Sequence, residues 1–233
     1  MKKILLTVAA LALAPAAFAQ VEIGLKVSPS IVYLRPDSPA GTGSGMSFAS
    51  ENAKLSFGGG IFMDYFFGEN YAFNTGLFLT GKGGTISYND ASTGPARPAV
   101  VKVEQKIAMQ YLELPLTVKL FTNEVAPDTR LYFQVGGSLA VPVQVRINGD
   151  KYYTDPYDNN NQTKAGKHIF DIDANIIGGA GVEYQLGQST KLITGISYHH
   201  GLIDFDRYFE RNRGFSDVNI KNSVFALDLG LKF

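Results

Sequence analysis

Eight long segments of alternating apolar and small or polar residues, joined by connections that alternate between long and short, constrain this chain more than any other feature. The segments run over about 21–34, 55–67, 71–88, 100–121, 130–149, 171–186, 189–206 and 221–233. Successive strand side chains point to opposite faces, so each segment makes a strand with one apolar side. Each exceeds the roughly five or six residues usual in a soluble sheet. The first, third, fifth and seventh connections, roughly 35–54, 89–99, 150–170 and 207–220, are long and polar. The others are Gly68-Glu69-Asn70, the stretch from Thr122 to Thr129, and Gly187-Gln188. An up-and-down arrangement therefore places four long loops at one rim, with three short turns and both chain ends at the other.

The first twenty residues, MKKILLTVAALALAPAAFAQ, say where such a chain goes. Lys2 and Lys3 precede an apolar run from Ile4 to Leu13 and a small-x-small ending at Ala17-Phe18-Ala19. This predicts a secretory signal peptide over residues 1–19, cleaved after Ala19, with residues 20–233 forming one domain. There is no cysteine, which excludes disulfides, thiol chemistry and attachment of lipid to a cysteine. Without the leader the chain carries 19 basic and 21 acidic residues, so no broad electrostatic attraction to nucleic acid is expected. After residue 19 no apolar run approaches the roughly 18 residues of a membrane helix, so any span must be built of strands. Long loops at one rim and tight turns at the other then match outer-membrane barrels. The expected fold is all-β, an eight-stranded antiparallel up-and-down transmembrane β-barrel in a bacterial outer membrane, with both termini in the periplasm.

The faces can be assigned segment by segment. In the terminal SVFALDLGLKF, Phe225, Leu227, Leu229, Leu231 and Phe233 share one parity, against Ala226, Asp228, Gly230 and Lys232. In QYLELPLTVKL, Leu112, Leu114, Leu116, Val118 and Leu120 oppose Tyr111, Glu113, Pro115, Thr117 and Lys119. Periodicity does not say which set points inward. The second set is small and polar, as the interior of a narrow membrane barrel must be, so the apolar set is assigned to lipid. Tyr65, Phe67, Tyr71, Phe73, Phe121, Phe133, Tyr184 and Phe233 then form an aromatic girdle at the short-turn rim. The terminal aromatic strand, Phe225 to Phe233, also resembles the signal read by the outer-membrane assembly machinery, an expected partner beside lipid and lipopolysaccharide.

The inward parity collects twelve charges: Glu22, Asp64, Glu113, Asp173, Glu183 and Asp228 with Lys26, Lys82, Lys119, Arg146, Lys191 and Lys232. A barrel of about eight strands is just wide enough for side chains to fill it, so these charges are expected to pair into a plug rather than line a pore. Proline removes a ladder donor, and Pro115 and Pro142 predict bulges in the fourth and fifth strands. One such bulge would account for Ile107 and Met109 breaking the polar inward pattern.

Signals for chemistry are sparse, and no cofactor is expected. Ser197 and His199 share a strand face, as a nucleophile and base would, without an identifiable orienting acid. His168 and His200 read as rim residues without metal spacing. DPYDNNNQ offers oxygens without the order of a calcium loop. In RYFERNRGFSD, Arg207, Arg211 and Arg213 could meet lipopolysaccharide phosphates, opposed by Glu210 and Asp217.

The segments YLELPLTVKL, GGAGVEYQL, GISYHHGLIDF and the final LGLKF resemble the PorT-like outer-membrane β-barrel proteins of Bacteroidetes. The resemblance spans the mature chain in architecture and implies a small outer-membrane barrel. The name-giving member is linked to protein secretion, a role that a shared fold does not transfer. The reading is a non-enzymatic barrel with a structural or interaction role, other envelope proteins being candidate partners. The alternatives are a secretion-system component, a lipid-modifying outer-membrane enzyme and a soluble periplasmic ligand-binding barrel.

Overall fold

The computed structural model describes residues 21–37, 48–90, 101–154, 162–213 and 218–233. The predicted leader and residues 155–161 of the DPYDNNNQ run lie outside them. The strands are β1 (Val21–Asp37), β2 (Phe48–Asn52), β3 (Lys54–Gly68), β4 (Tyr71–Asp90), β5 (Val101–Phe121) and β6 (Thr129–Ile147). They continue with β7 (Tyr152–Thr154), β8 (Gln162–Lys164), β9 (Asp173–Gln185), β10 (Lys191–Gly201) and β11 (Asn219–Lys232); a 3-10 turn (Ala165–His168) follows β8, and a short α-helix, α1 (Tyr208–Arg213), precedes β11.

Eight strands close an antiparallel ring in the order β4, β3, β1, β11, β10, β9, β6, β5, and β5 pairs back onto β4. The seam is the β1–β11 pair, running from Gly24 opposite Lys232 to Asp37 opposite Asn219. Phe233 and Ile23 exchange two further backbone hydrogen bonds at its short-turn end. β2 extends the wall along β4 as a broken continuation of β3, with a register shift between Ser50 and Asn52. β7 and β8 form a hairpin of their own in the third long connection.

Burial settles the direction of the alternation. Phe225, Leu227, Leu229, Leu231 and Phe233 are all at least 40% exposed, whereas Ala226, Asp228 and Lys232 are at most 3% exposed. The same holds around the ring: Leu25, Ile61, Leu77, Leu116, Val135 and Ile176 lie on the outer wall. A wall of leucine, isoleucine, valine and phenylalanine facing outward around a polar interior is the inversion a membrane barrel requires. It excludes the soluble periplasmic barrel.

The two prolines behave differently. On β5 every odd residue from Gln105 to Phe121 is buried, so Pro115 causes no bulge. The β4–β5 ladder only lapses beside it and resumes in the same register. Ile107 and Met109 therefore keep the inward parity and are apolar because the interior there is apolar. The bulge is on β6, where Gln110 pairs with Gln144 but Tyr111 pairs with Pro142, leaving Val143 as the extra residue. Beyond it the parity of β6 flips, so Val145 and Ile147 are buried and Arg146 is exposed. Arg146 thus leaves the expected lumen set; its guanidinium donates to Gly149 O at 3.3 Å.

β6 ends at Ile147 rather than 149, where Asn148 (φ 54°) and Gly149 (φ 97°) make the tight turn that an Asn-Gly pair favours. The predicted seventh strand is likewise shorter, since β10 stops at Gly201. In the predicted girdle Phe67, Tyr71, Phe73, Phe133, Tyr184 and Phe233 are exposed, but Phe121 is buried and turns inward. Close approach is needed where Tyr132 enters the lumen: a Cβ at Gly181 or Gly195 would sit 2.5 Å from its hydroxyl.

Candidate functional site

The interior is built in three storeys. At the short-turn end, Lys232 Nζ reaches Glu22 Oε2 at 2.7 Å, Asp64 Oδ2 at 3.1 Å and Glu183 Oε2 at 2.5 Å. Lys191 joins the same acids, at 2.6 Å from Glu22 Oε1 and 3.2 Å from Glu183 Oε1. Lys119 donates to both oxygens of Asp64 at 2.9 and 3.0 Å, and Asn74 Nδ2 donates to Oδ1 at 2.6 Å. Three carboxylates meet three ammoniums, so the storey is neutral. Phe62, Phe66, Phe121 and Tyr132 wall it, with ammonium-to-ring distances such as 4.8 Å for Lys119 and Phe62 and 5.3 Å for Lys232 and Phe121. Ammoniums over ring faces add attraction where water is excluded.

The middle storey holds a cavity of about 40 Å³ bordered by Ser28, Asn74, Glu113, Ser197, His199 and Asp228. Lys26 lies 3.3 Å from Asp228 Oδ1. Lys82 bridges Asp173 at 3.0 Å and Glu113 at 3.7 Å, and Ser138 Oγ donates to Glu113 Oε1. His199 Nδ1 lies 3.2 Å from the same Glu113 oxygen. With Arg146 outside, the six interior acids face five lysines and this histidine. A water needs roughly 10–15 Å³ of such space, so the cavity accommodates a few waters and is not a conduit.

Ser197 and His199 do share the inward face, and Glu113 supplies the acid partner that sequence could not identify. Ser197 Oγ, however, makes no hydrogen bond to the His199 ring among the described residues. The pair faces the lumen rather than lipid.

The third storey is an apolar plug at the long-loop mouth. Leu34, Ile86, Tyr88, Ile107, Met109, Val145 and Ile147 from the wall pack against Ile169, Phe205, Tyr208, Phe209 and Ile220. Phe209, on α1, meets Phe48 edge-on at 4.8 Å and Tyr88 at 5.1 Å. His168 is at the rim as expected but buried within the plug, its Nε2 2.7 Å from Thr163 Oγ1 and its ring 5.2 Å from Tyr208. Asp206 Oδ2 accepts the Phe209 amide at 2.9 Å, tying α1 down. Burial pushes Asp206 up to about 7, helped by the charges of Asp204 and Glu210, while the Phe209 and Tyr208 amides oppose the rise. Burial also raises Asp204, whose Oδ1 accepts from Asp206 N and Ile220 N.

Of the three loop arginines, Arg207 is engaged, 3.1 Å from Asp171 Oδ2 and stacked 4.1 Å from the Phe170 ring. Arg211 is exposed on α1, and the Arg213 side chain lies outside the described residues. The sequence reading missed the plug. Its signal was present in apolar residues on the inward parity near the long-loop strand ends, and in Tyr208-Phe209 within a charged loop.

The chain is similar in solved structures to Neisserial surface protein A, at 10% identity, with 92% of this chain and 97% of that one covered and a TM-score of 0.49. It is similar to the outer membrane protein OprG from Pseudomonas aeruginosa at 9% identity, 92% and 95% coverage and a TM-score of 0.49. Ail, the attachment invasion locus protein of Yersinia pestis, solved with the heparin analogue sucrose octasulfate, is 10% identical, with 92% and 99% coverage and a TM-score of 0.41. No curated protein matches. The model of the outer membrane protein beta-barrel domain family matches residues 18–207, more than half of the chain, so this protein belongs to that family and is a small barrel of the outer membrane.

Proposed function

We propose that this barrel is a sealed, non-enzymatic element of the outer membrane whose role is structural or interactive, with its long-loop rim outside and both chain ends in the periplasm. The carrying observation is double closure: among the described residues, a neutral charged storey lies below and an apolar plug above a cavity of about 40 Å³. Among the described residues both storeys are filled by side chains, and Ser197 and His199 face the closed interior rather than the lipid-facing wall. The aromatic-ended terminal strand is proposed as the signal recognised by the assembly machinery, because Phe233 is exposed beside the β1–β11 seam that closes the ring. Arg211 and Arg213 remain proposed lipopolysaccharide contacts, and the PorT-like subfamily with its secretion link remains a proposal that the short motifs alone support.

Two experiments test this reading. In planar bilayers the purified protein should give no steady current; a large permanent conductance would overturn the sealed lumen. Orientation is testable because the chain has no cysteine. A Lys167→Cys variant, at an exposed position in the third long connection, should react with an impermeant maleimide on intact cells. A Val125→Cys variant in a short turn should react only after the outer membrane is permeabilised. The opposite pattern would invert the topology.

A further inference from the structure

We infer that the outer wall across β1, β11 and β10 carries a binding site for the phosphate of lipid A, at the upper edge of the lipid-facing band. The inference rests on the proposed outward orientation of the long loops and is independent of the loop arginines.

The register shows how the site arises. On the outer face, rows of paired residues climb from Leu25, Leu231 and Leu192, through Val27, Leu229 and Thr194, to Ile31, Phe225 and Tyr198. The next row is Tyr33, Ser223 and His200, and above it Arg35 faces Lys221. The wall thus changes within two rows from aliphatic to basic and phenolic. From Ile23 to Arg35 the strand climbs about 40 Å at ~3.3 Å per residue, or about 30 Å along the axis at a tilt of ~40°. An apolar band of about 25 Å starting at Ile23 ends near Tyr33, so Arg35 and Lys221 sit at headgroup height.

The side chains form one connected cluster. Arg35 Nε donates to Ser223 Oγ at 2.7 Å and its Nη2 to Gly201 O at 2.8 Å, which fixes the guanidinium on the wall. Of the five donors of an arginine, three are left over. The Tyr198 hydroxyl lies 3.3 Å from the Tyr33 hydroxyl, from Ser223 Oγ and from His200 Nδ1. Tyr33, Arg35, Tyr198, His200 and Lys221 are all partly exposed and lie on the outward parity of their strands.

Carboxylates are near but do not neutralise the patch. Asp37 is exposed one row higher, and Asp204 is occupied by the amides of Asp206 and Ile220. Among the described residues neither Arg35 nor Lys221 ion-pairs with a carboxylate, whereas each lumen lysine does. A fixed guanidinium and a neighbouring ammonium at the edge of hydrocarbon, neither ion-paired among the described residues and both flanked by phenols, suit a phosphate whose acyl chains lie against Ile31, Phe225 and the rows below. A guanidinium binds phosphate with directed hydrogen bonds, the ammonium as a point charge.

The test uses the purified, folded protein in detergent micelles, offered bis-phosphorylated lipid A, fully dephosphorylated lipid A or phosphatidylglycerol, with retained lipid counted by native mass spectrometry. The expected result is retention of bis-phosphorylated lipid A over both others by about ten-fold or more, since one or two charge-assisted hydrogen bonds are at stake. The Arg35→Gln, Lys221→Gln double variant should lose that preference while keeping the heat-modifiable migration of a folded barrel. Lys221→Gln alone, which disturbs no hydrogen bond of the wall, should lose part of it. Equal retention of phosphorylated and dephosphorylated lipid A overturns the site. So does a preference unchanged in the double variant, equal retention of phosphatidylglycerol, or full displacement by millimolar inorganic phosphate. The maleimide experiment fails separately, because it decides which leaflet meets this wall and not whether the wall selects a phosphate.

Discussion

Replacing Lys232 with methionine should cost the barrel about 3–5 kcal/mol, because a buried ion pair broken on one side leaves uncompensated charge. The Lys232 side chain is fully buried and contacts three carboxylates, those of Glu22, Asp64 and Glu183. Methionine keeps the length of the stem and its packing against Phe66 and Phe121, so the loss is one of charge rather than volume. Lys119 and Lys191 then balance only two of the three acids. Two variants discriminate this from a general sensitivity of lysine sites. Lys102, about half exposed, sits 2.7 Å from Glu51, a distance equal to that between Lys232 and Glu22. Lys102→Met should leave stability nearly unchanged, since an exposed pair is solvated and screened. Adding Glu183→Gln to Lys232→Met restores equal numbers of acids and ammoniums and should recover part of the loss. Urea unfolding of the barrel in lipid vesicles, followed by the heat-modifiable gel shift, measures all three. If Lys232→Met unfolds within 1 kcal/mol of the parent, the lower storey is not held by its charges.

Lys232 also shows what a single sequence reveals. Its parity on β11 placed it inside, and eleven of the twelve charges assigned to the interior by alternation do face it. The period of a strand is two, so parity carries over every residue until the strand gains or loses one. Arg146 is where that happens: Val143 is inserted opposite Gln110 and Tyr111, and everything beyond it changes face. Pro142 marked the place but could not fix the outcome, because Pro115, a proline in the neighbouring strand, stays in register. Pairings between charges were not readable at all. That Glu113 meets His199, 86 residues away, follows from the ring closure and not from either segment. The apolar mouth was hidden for a related reason. Ile107 and Met109 break a polar inward pattern only if nothing fills the lumen above them, and Val145 and Ile147 join them only through the β6 bulge. Tyr208 and Phe209, from a connection read as long and polar, and Phe205, from the end of the segment read as the seventh strand, do fill it.

That plug yields the second large effect: Phe209→Ala should release α1 from the mouth without unfolding the barrel. Phe209 is 1% exposed and packed between Phe48, Tyr88 and Tyr208. Truncating a buried phenylalanine costs about 3–5 kcal/mol, and here the loss falls on a short loop element rather than on the ladder of the wall. Hydrogen exchange reports such local opening. The amides of Phe209 and Arg211, bonded to Asp206 Oδ2 and Arg207 O in the docked form, should lose roughly two decades of protection, at about 1.4 kcal/mol per decade. Amides in β10 and β11 should be unaffected. Docking should also depend on pH. Asp206 stands at about 7 when buried, against an ordinary 3.8, so the docked loop favours its protonated form. That contribution is fully present below about 4 and is lost as the pH rises through about 7. Once exchange is corrected for its intrinsic pH dependence, α1 of the parent protein should therefore be less protected on the alkaline side of 7 than on the acid side. Asp206→Asn keeps an acceptor for the Phe209 amide but cannot ionise, and should flatten the profile. A profile equally steep in Asp206→Asn would assign the dependence to another group, and unchanged protection in Phe209→Ala would mean that the wall alone holds the mouth closed.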